Sequence, residues 1–237
     1  MPDTVVSSKY KIPVLYEDNH LLVVVKPPNL PVQADASGDD DLLSILKRYI
    51  GHKYQKPGAV YLGLVHRLDR PVGGVMVFAR TSKAAARLSK AFSEHTTRKR
   101  YLAVLQGALG EPRDLDDTLR KDPDGMVRVV PEDAPGGKRA SLRTEPLAQR
   151  EGLTLTLVTL RTGRAHQIRV QHAHAGFPLW GDARYGGGRP GQQIALWAAE
   201  LCFDHPVRRQ PLSFTCPPPF TGAWAKFKDI IEALYEA

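Results

Sequence analysis

Two stretches of this 237-residue chain hold more reactive and cationic side chains than packing requires: His66-Arg67-Leu68-Asp69-Arg70 and Arg161-Thr162-Gly163-Arg164-Ala165-His166-Gln167-Ile168-Arg169. An apolar run precedes each, so the reactive groups fall at strand ends, where a cleft can form. Asp69 stands between two arginines. A guanidinium nearby holds a carboxylate ionised and fixes its orientation, which suits it to act as a nucleophile or a base. Taken alone, Asp69 would fit an ordinary salt-bridge loop; the cations that recur on the second stretch argue for more. His166, His172 and His174 lie close together, yet no pair has the spacing of four that sets two ligands on one helical face, so no metal site is expected. His166 reads as a hydrogen-bonding group of the site. Cys202 and Cys216 are too few for a disulfide framework and have no zinc-binding pattern, and Gly186-Gly187-Gly188 is a turn.

The elements that must carry these groups follow from local pattern. Residues 13–16 and 21–26 are β-prone runs around Glu17-Asp18-Asn19-His20, a hairpin that ends at Pro27-Pro28. Asp39-Asp40-Asp41 caps a short helix that runs to about Ile50. A strand over 60–65 delivers His66 to Asp69. Past Pro71, the pair Gly73-Gly74 lets the chain turn and pack closely before a strand over 75–79. Thr81 or Ser82 caps an Ala-rich helix over 83–94, and 99–106 returns as a strand. Residues 110–137, rich in Asp, Pro and Gly, read as a loop carrying a small hairpin near 126–130. Strands resume over 140–148 and 153–160, the second alternating Leu and Thr so that one face is buried. A helix over 164–176 stops at Gly176, ahead of Phe177-Pro178. A strand near 193–203 and an amphipathic helix over 224–235 close the chain. Strands mostly neighbour strands, with helices placed irregularly among them. The expected class is α+β, a mixed and largely antiparallel sheet flanked by helices and loops, with an active-site cleft across the sheet.

A hydrophobic content of 42% is enough for an ordinary core. Residues 1–11 are polar and read as a flexible N-terminal arm, leaving 12–237 as a single catalytic domain. No apolar run approaches the roughly 20 residues of a membrane-spanning helix, and the N-terminus lacks a leader pattern, so a cytoplasmic protein with no membrane partner is expected. The net charge of +8 raises the prior for a nucleic-acid partner. Cations gather at Arg98-Lys99-Arg100, at Lys138-Arg139 with Arg143, at Arg161 with Arg164 and Arg169, at Arg184 with Arg189, and at Arg208-Arg209. Any one cluster suits a solvated surface; as a set they suit phosphate contacts around one cleft.

The two reactive stretches together resemble the pseudouridine synthases, the large family that modifies ribosomal and transfer RNA and carries a His-Arg-Leu-Asp signature. Tyr16-Glu17-Asp18 with Leu22 to Pro27 is similar to the family's opening strand and Lys-Pro turn. Lys99-Arg100-Tyr101-Leu102-Ala103-Val104 matches the strand that carries its active-site tyrosine. Gly163 to Val170, followed by Ala173-His174-Ala175-Gly176, Pro178-Leu179, Gly181-Asp182 and Tyr185-Gly186, matches its longest signature, and Leu196 to Ala198 with His205-Pro206 its closing one. The resemblance implies that Asp69 is the catalytic aspartate, Arg67 the residue that fills the space of the flipped base, Tyr101 the ring stacked on uracil, and Arg169 the ion-pair partner of Asp69. Leu196 would be an apolar wall of the pocket. Arg98, Lys99, Arg100, Arg161 and Arg164 are expected to contact the RNA backbone. Two departures stand out: Val72-Gly73-Gly74 replaces the family's usual Thr-Ser-Gly, and Trp197, best read as core packing, stands where a histidine is more usual. With only about a dozen residues ahead of the match, no accessory RNA-binding domain is expected.

Isomerising uridine breaks the bond from ribose to N1 of uracil, turns the base and joins C5 to the same sugar carbon. One carboxylate suffices, either by attack on that carbon or by taking a sugar proton to give an unsaturated intermediate. Glycoside hydrolysis normally needs a second carboxylate, and none lies in the signature stretches. No metal or redox cofactor is required. The target base must first leave the RNA stack, at a cost of about a few kcal/mol. The expected partner is structured RNA, ribosomal or transfer, bound by a monomer with no obligatory protein partner. The alternatives are an RNA-binding or RNA-chaperone protein that keeps the fold without the activity and, more distantly, a nucleosidase. Asp69, Tyr101 and Arg169 occurring together favour the enzyme.

Overall fold

A computed structural model describes residues 3–7, 9–189 and 191–236. In chain order its strands are β1 (Thr4–Val6), β2 (Lys11–Glu17), β3 (Leu21–Lys26), β4 (Gly63–Leu64), β5 (Gly73–Ala79), β6 (Arg98–Gln106), β7 (Arg113–Lys121), β8 (Val127–Val130), β9 (Lys138–Arg150), β10 (Leu153–Leu160), β11 (Leu196–Asp204) and β12 (Pro211–Thr215). The α-helices are α1 (Leu42–Lys53), α2 (Ser82–Ser93), α3 (Gln167–His174) and α4 (Lys228–Glu236). The class is α+β, with largely antiparallel pairing. The chain groups into two compact units: Met1–Arg98 with Ala198–Cys216, and Lys99–Trp197 with Pro217–Ala237. Among the described residues no helix is long and apolar enough to cross a membrane.

In the first unit, β3 and β5 pair antiparallel along their lengths, and every residue of both is buried. Continuous Val and Leu runs suit strands covered on both faces. Leu21, Val23, Val75 and Val77 pack with Ala84 and Leu88 of α2 and with Leu201 and Phe203 of β11 into one core cluster. Thr81 caps α2 by accepting the Ala84 N–H, and Asp41 caps α1 by accepting the Ser44 N–H. Of the arm expected over residues 1–11, Met1, Pro2 and Ser8 lie outside the described residues. Thr4–Val6 forms β1 against β2, because Val5 turns inward between exposed Thr4 and Val6.

In the second unit the strand order is β6-β10-β9-β7-β8. Residues 110–137 carry more structure than a loop with a small hairpin: β7 and β8 pair with each other, and β7 also pairs with β9. The Asp-rich β7 has poor strand propensity by itself. Arginines on β9 compensate, with Arg143 facing Asp114 across the ladder at 3.1 Å and Arg139 reaching Asp116 at 3.6 Å. On β10, where one buried face was expected, Thr154 and Thr156 are buried along with Leu155. Thr154 donates to the Gly107 carbonyl and accepts the Leu109 N–H, while Thr156 pairs with Thr144 and donates to the Glu145 carbonyl, so the buried hydroxyls are satisfied. The helix expected from Arg164 starts only at Gln167, because His166 takes a left-handed conformation with φ 52°. The closing helix is in two parts, a 3-10 segment over Gly222–Phe227 and then α4.

Candidate active site

Asp69 lies half-buried in a turn of the first unit, closed by a 3.0 Å bond from the Val72 N–H to its own carbonyl. Lys26, at the end of β3, supports that turn. Its fully buried ammonium donates to the carbonyls of Pro27 at 3.1 Å, Arg70 at 3.0 Å and Val72 at 2.7 Å. Three acceptors match the three N–H donors of the protonated amine. Burial pulls the Lys26 pKa down to about 7; the Asp69 charge opposes the fall and the Arg70 charge adds to it.

Each other signature residue has its own surroundings. The His66 ring stacks on Phe92 at 4.6 Å, and its Nε2 accepts the Val77 N–H at 3.0 Å. Because β4 ends at Leu64, opposite Phe78, the imidazole satisfies the β5 amide just past the end of that short ladder. Leu68 is buried and Arg67 is exposed. Arg70 is drawn to the loop over 35–39, where it pairs with Asp39 and with Asp35. Of the two arginines that flank Asp69 in sequence, it is therefore held by other carboxylates. After the turn, Gly74 has φ 124°, and a Cβ there would collide with the Ala198 backbone. The departure to Val72-Gly73-Gly74 retains the one glycine that this approach demands.

In the second unit, Lys99 and Tyr101 lie on one face of β6, with Tyr101 half-buried opposite Val158 of β10. Lys99 is buried rather than at the surface, and burial lowers its pKa, so it is poorly placed for the phosphate contact expected of it. Arg100 is half-buried. Arg161 binds Asp114 at 2.5 Å, and exposed Arg164 donates from Nε to the Arg139 carbonyl at 2.9 Å. The Gln167 side chain ties their loop together, accepting the Thr162 hydroxyl and the Arg164 N–H and donating to the Ser141 carbonyl. Arg98, in the first unit, donates to Glu200 at 2.7 Å.

Arg169 projects from α3 and is buried. Its Nε and Nη2 fork onto the two oxygens of Asp182, both at 2.8 Å, and its guanidinium lies 5.1 Å from the Tyr185 ring centre. Asp182 also accepts the backbone N–H groups of Arg184 and Tyr185. Burial by itself would raise the Asp182 pKa; the bonds and charge of Arg169 outweigh it, leaving Asp182 below its ordinary value. Leu196 and Trp197 are both buried at the start of β11, as core packing asks of Trp197. Lys26, Asp182 and Tyr185 all stand inside matched signatures, yet nothing in their spacing shows what they hold.

The RNA pseudouridylate synthase family model matches residues 20–174. The chain is 34% identical over 225 residues to the uncharacterized RNA pseudouridine synthase YjbO of Bacillus subtilis, covering 92% of this chain and 76% of that protein. It is 33% identical over 238 residues to ribosomal large subunit pseudouridine synthase D of Xylella fastidiosa, covering 92% of this chain and 70% of the relative. Its fold is shared with human RNA Pseudouridylate Synthase Domain Containing 4, at a TM-score of 0.73, 21% identity and 92% coverage of each chain. The class of protein is thus an isomerase that converts uridine to pseudouridine in RNA. This chain belongs to the RNA pseudouridylate synthase family.

Proposed function

We propose that this isomerase acts on one or a few uridines of large-subunit ribosomal RNA, with Asp69 as the carboxylate that opens the glycosidic bond. The match along 92% of the chain to a ribosomal large subunit synthase carries this reading. Asp69 either attacks the sugar carbon or takes a sugar proton. On the first route C5 of the turned uracil displaces the carboxylate from that carbon; on the second the protonated Asp69 returns its proton to the sugar as C5 joins; on both, the C5 proton then leaves and restores the uracil ring. Tyr101 stacks on the detached base, Leu196 lines its pocket, and exposed Arg67 fills the space it vacates. Arg169, oriented by Asp182, is the ion-pair partner of Asp69. Arg98, Arg100, Arg161 and Arg164 hold the RNA backbone, with Arg98 and Arg161 exchanging Glu200 and Asp114 for phosphates. Residues 12–237 act as one catalytic domain, monomeric and in the cytoplasm, where ribosomal RNA is at hand.

Mapping pseudouridine in total RNA with and without the gene, and again with Asp69→Asn, tests this. The expected outcome is loss at one or a few large-subunit positions in both strains, with RNA binding retained by the variant. Loss confined to transfer RNA would overturn the substrate, and unchanged maps would overturn the function.

A further inference from the structure

His205-Pro206 and the adjoining Arg208-Arg209 have no part in the uridine chemistry, yet the turn they form between β11 and β12 is held from inside. The His205 Nδ1 accepts the Val207 and Arg208 N–H groups at 3.1 and 2.9 Å, and its Nε2 donates to Asp18 at 2.9 Å. The Arg209 N–H closes the turn on the His205 carbonyl at 2.8 Å. Arg208 and Arg209 are exposed on its outer side, with Arg208 also reaching Asp18 at 3.0 Å. One flank of α2 adjoins this turn, where Arg87 donates to the Pro206 carbonyl at 2.6 Å. Spacings of four and three set Lys83, Arg87 and Lys90 on that flank, all exposed, while Ala84 and Leu88 turn into the core. The opposite flank carries Ala85, packed against Gly63 of β4, and Phe92, stacked on His66. The cations therefore lie on the side of α2 away from the signature stretch.

Five cations share this face with three carboxylates. Glu94 lies 3.7 Å from Lys90 in an exposed pair, Asp18 is largely buried beneath Arg208, and exposed Asp204 adjoins the turn. Among the described residues no carboxylate pairs with Lys83, Arg87 or Arg209, so the face stays positive. No aromatic ring stands among its exposed side chains at Lys83, Ala86, Arg87, Lys90 and 207–210, so it lacks the stacking platform that single strands use. A duplex is held instead through its phosphates. We propose that the outer flank of α2 and the turn over 205–209 form a second RNA-binding face, which holds the phosphate backbone of a duplex arm lying beyond the target uridine. Contacts of this kind add affinity and set position without reading sequence. The proposal rests on the reading of the chain as a large-subunit RNA synthase, whose substrate offers such arms.

The test combines Lys83→Gln, Lys90→Gln and Arg209→Gln in one chain, since these exposed side chains hold nothing in the core and urea unfolding should be unchanged. Filter binding to a plain RNA duplex without a target should weaken by about tenfold or more at about 0.15 M salt, and the slope of log affinity on log salt should fall by about two to three. On transcribed large-subunit ribosomal RNA, KM should rise by a similar factor with kcat unchanged. On a stem-loop cut down to the target, both constants should match wild type. A second variant that keeps the charges, Lys83→Arg with Lys90→Arg and Arg209→Lys, should bind the duplex as wild type does. Duplex affinity and salt slope equal to wild type, an equal KM loss on the stem-loop, or equal weakening in the charge-keeping variant would each overturn the proposal. Unaltered duplex binding with lost retention on anionic lipid vesicles would give the face to a membrane instead. A wild-type enzyme with no turnover on ribosomal RNA would overturn the substrate reading alone, because the duplex measurement needs no turnover.

Discussion

Lys26 shows how much a single residue can set at this site. One ammonium satisfies three carbonyls, two of them in the turn that carries Asp69. Lys26→Met fills similar space but leaves those carbonyls without a donor. We expect it to cost about 2 kcal/mol or more in urea unfolding, the usual penalty for stranded buried polar groups, and to lower kcat through a loosened turn. Unchanged stability would show that water replaces the ammonium. At Tyr101, Ala should reduce kcat/KM by about tenfold to a hundredfold, the range of aromatic stacking on a base, while Phe keeps most of the activity. Single-turnover assays separate the two, and full activity in Tyr101→Ala would remove stacking from its role. The His-Arg-Leu-Asp pattern was legible in the sequence, but its division of labour was not. His66 serves a β5 amide and Arg70 a distant acidic loop, because each takes the partner that the fold brings near.

Between elements, Asp18 links two turns of the first unit. One carboxylate oxygen accepts the His20 and Leu21 N–H groups and so closes the β2–β3 hairpin; the other binds Tyr16, His205 and Arg208, the last two following β11. Burial would raise the Asp18 pKa, but these hydrogen bonds outweigh it and bring it from 3.8 down to about 2. The folded value lies below the unfolded one, so the stabilisation is present above the unfolded value and is lost as pH falls through it toward 2. It amounts to about 2 kcal/mol, and Asp18→Asn should flatten that part of the stability profile. Equal acid sensitivity in wild type and Asp18→Asn would place the effect elsewhere. The hairpin itself was readable from two β-prone runs around a polar turn. By contrast β7 was not, because its stability comes from arginines on β9 that lie outside any local window.

For the whole molecule, a net charge of +8 describes partnership with RNA better than it describes fold. Several of the cations outside the proposed RNA contacts are already engaged: Arg70 by Asp39, Arg128 by Asp122 and Asp124, Arg150 by Asp229. Binding should thus draw on a minority of them. If about four phosphates are held, affinity for the RNA should fall roughly 50- to 150-fold between about 50 and 200 mM salt. A filter-binding titration that showed no salt slope would exclude backbone contacts as a main source of affinity.

By itself the sequence determined the α+β class, the strands β3 and β5, the capped helices and the residues that mark the family. All of these depend on neighbours along the chain: apolar period, capping residues, turn glycines and contiguous motifs. Tertiary structure alone decided that Arg169 forks onto Asp182, that Lys26 supports the Asp69 turn from 43 or more positions away, and that Tyr185 faces both His166 and Arg169. Charged and polar groups select partners by distance and by the exclusion of water. A chain with 33 Lys and Arg and 25 Asp and Glu offers far more pairings than its order can rank.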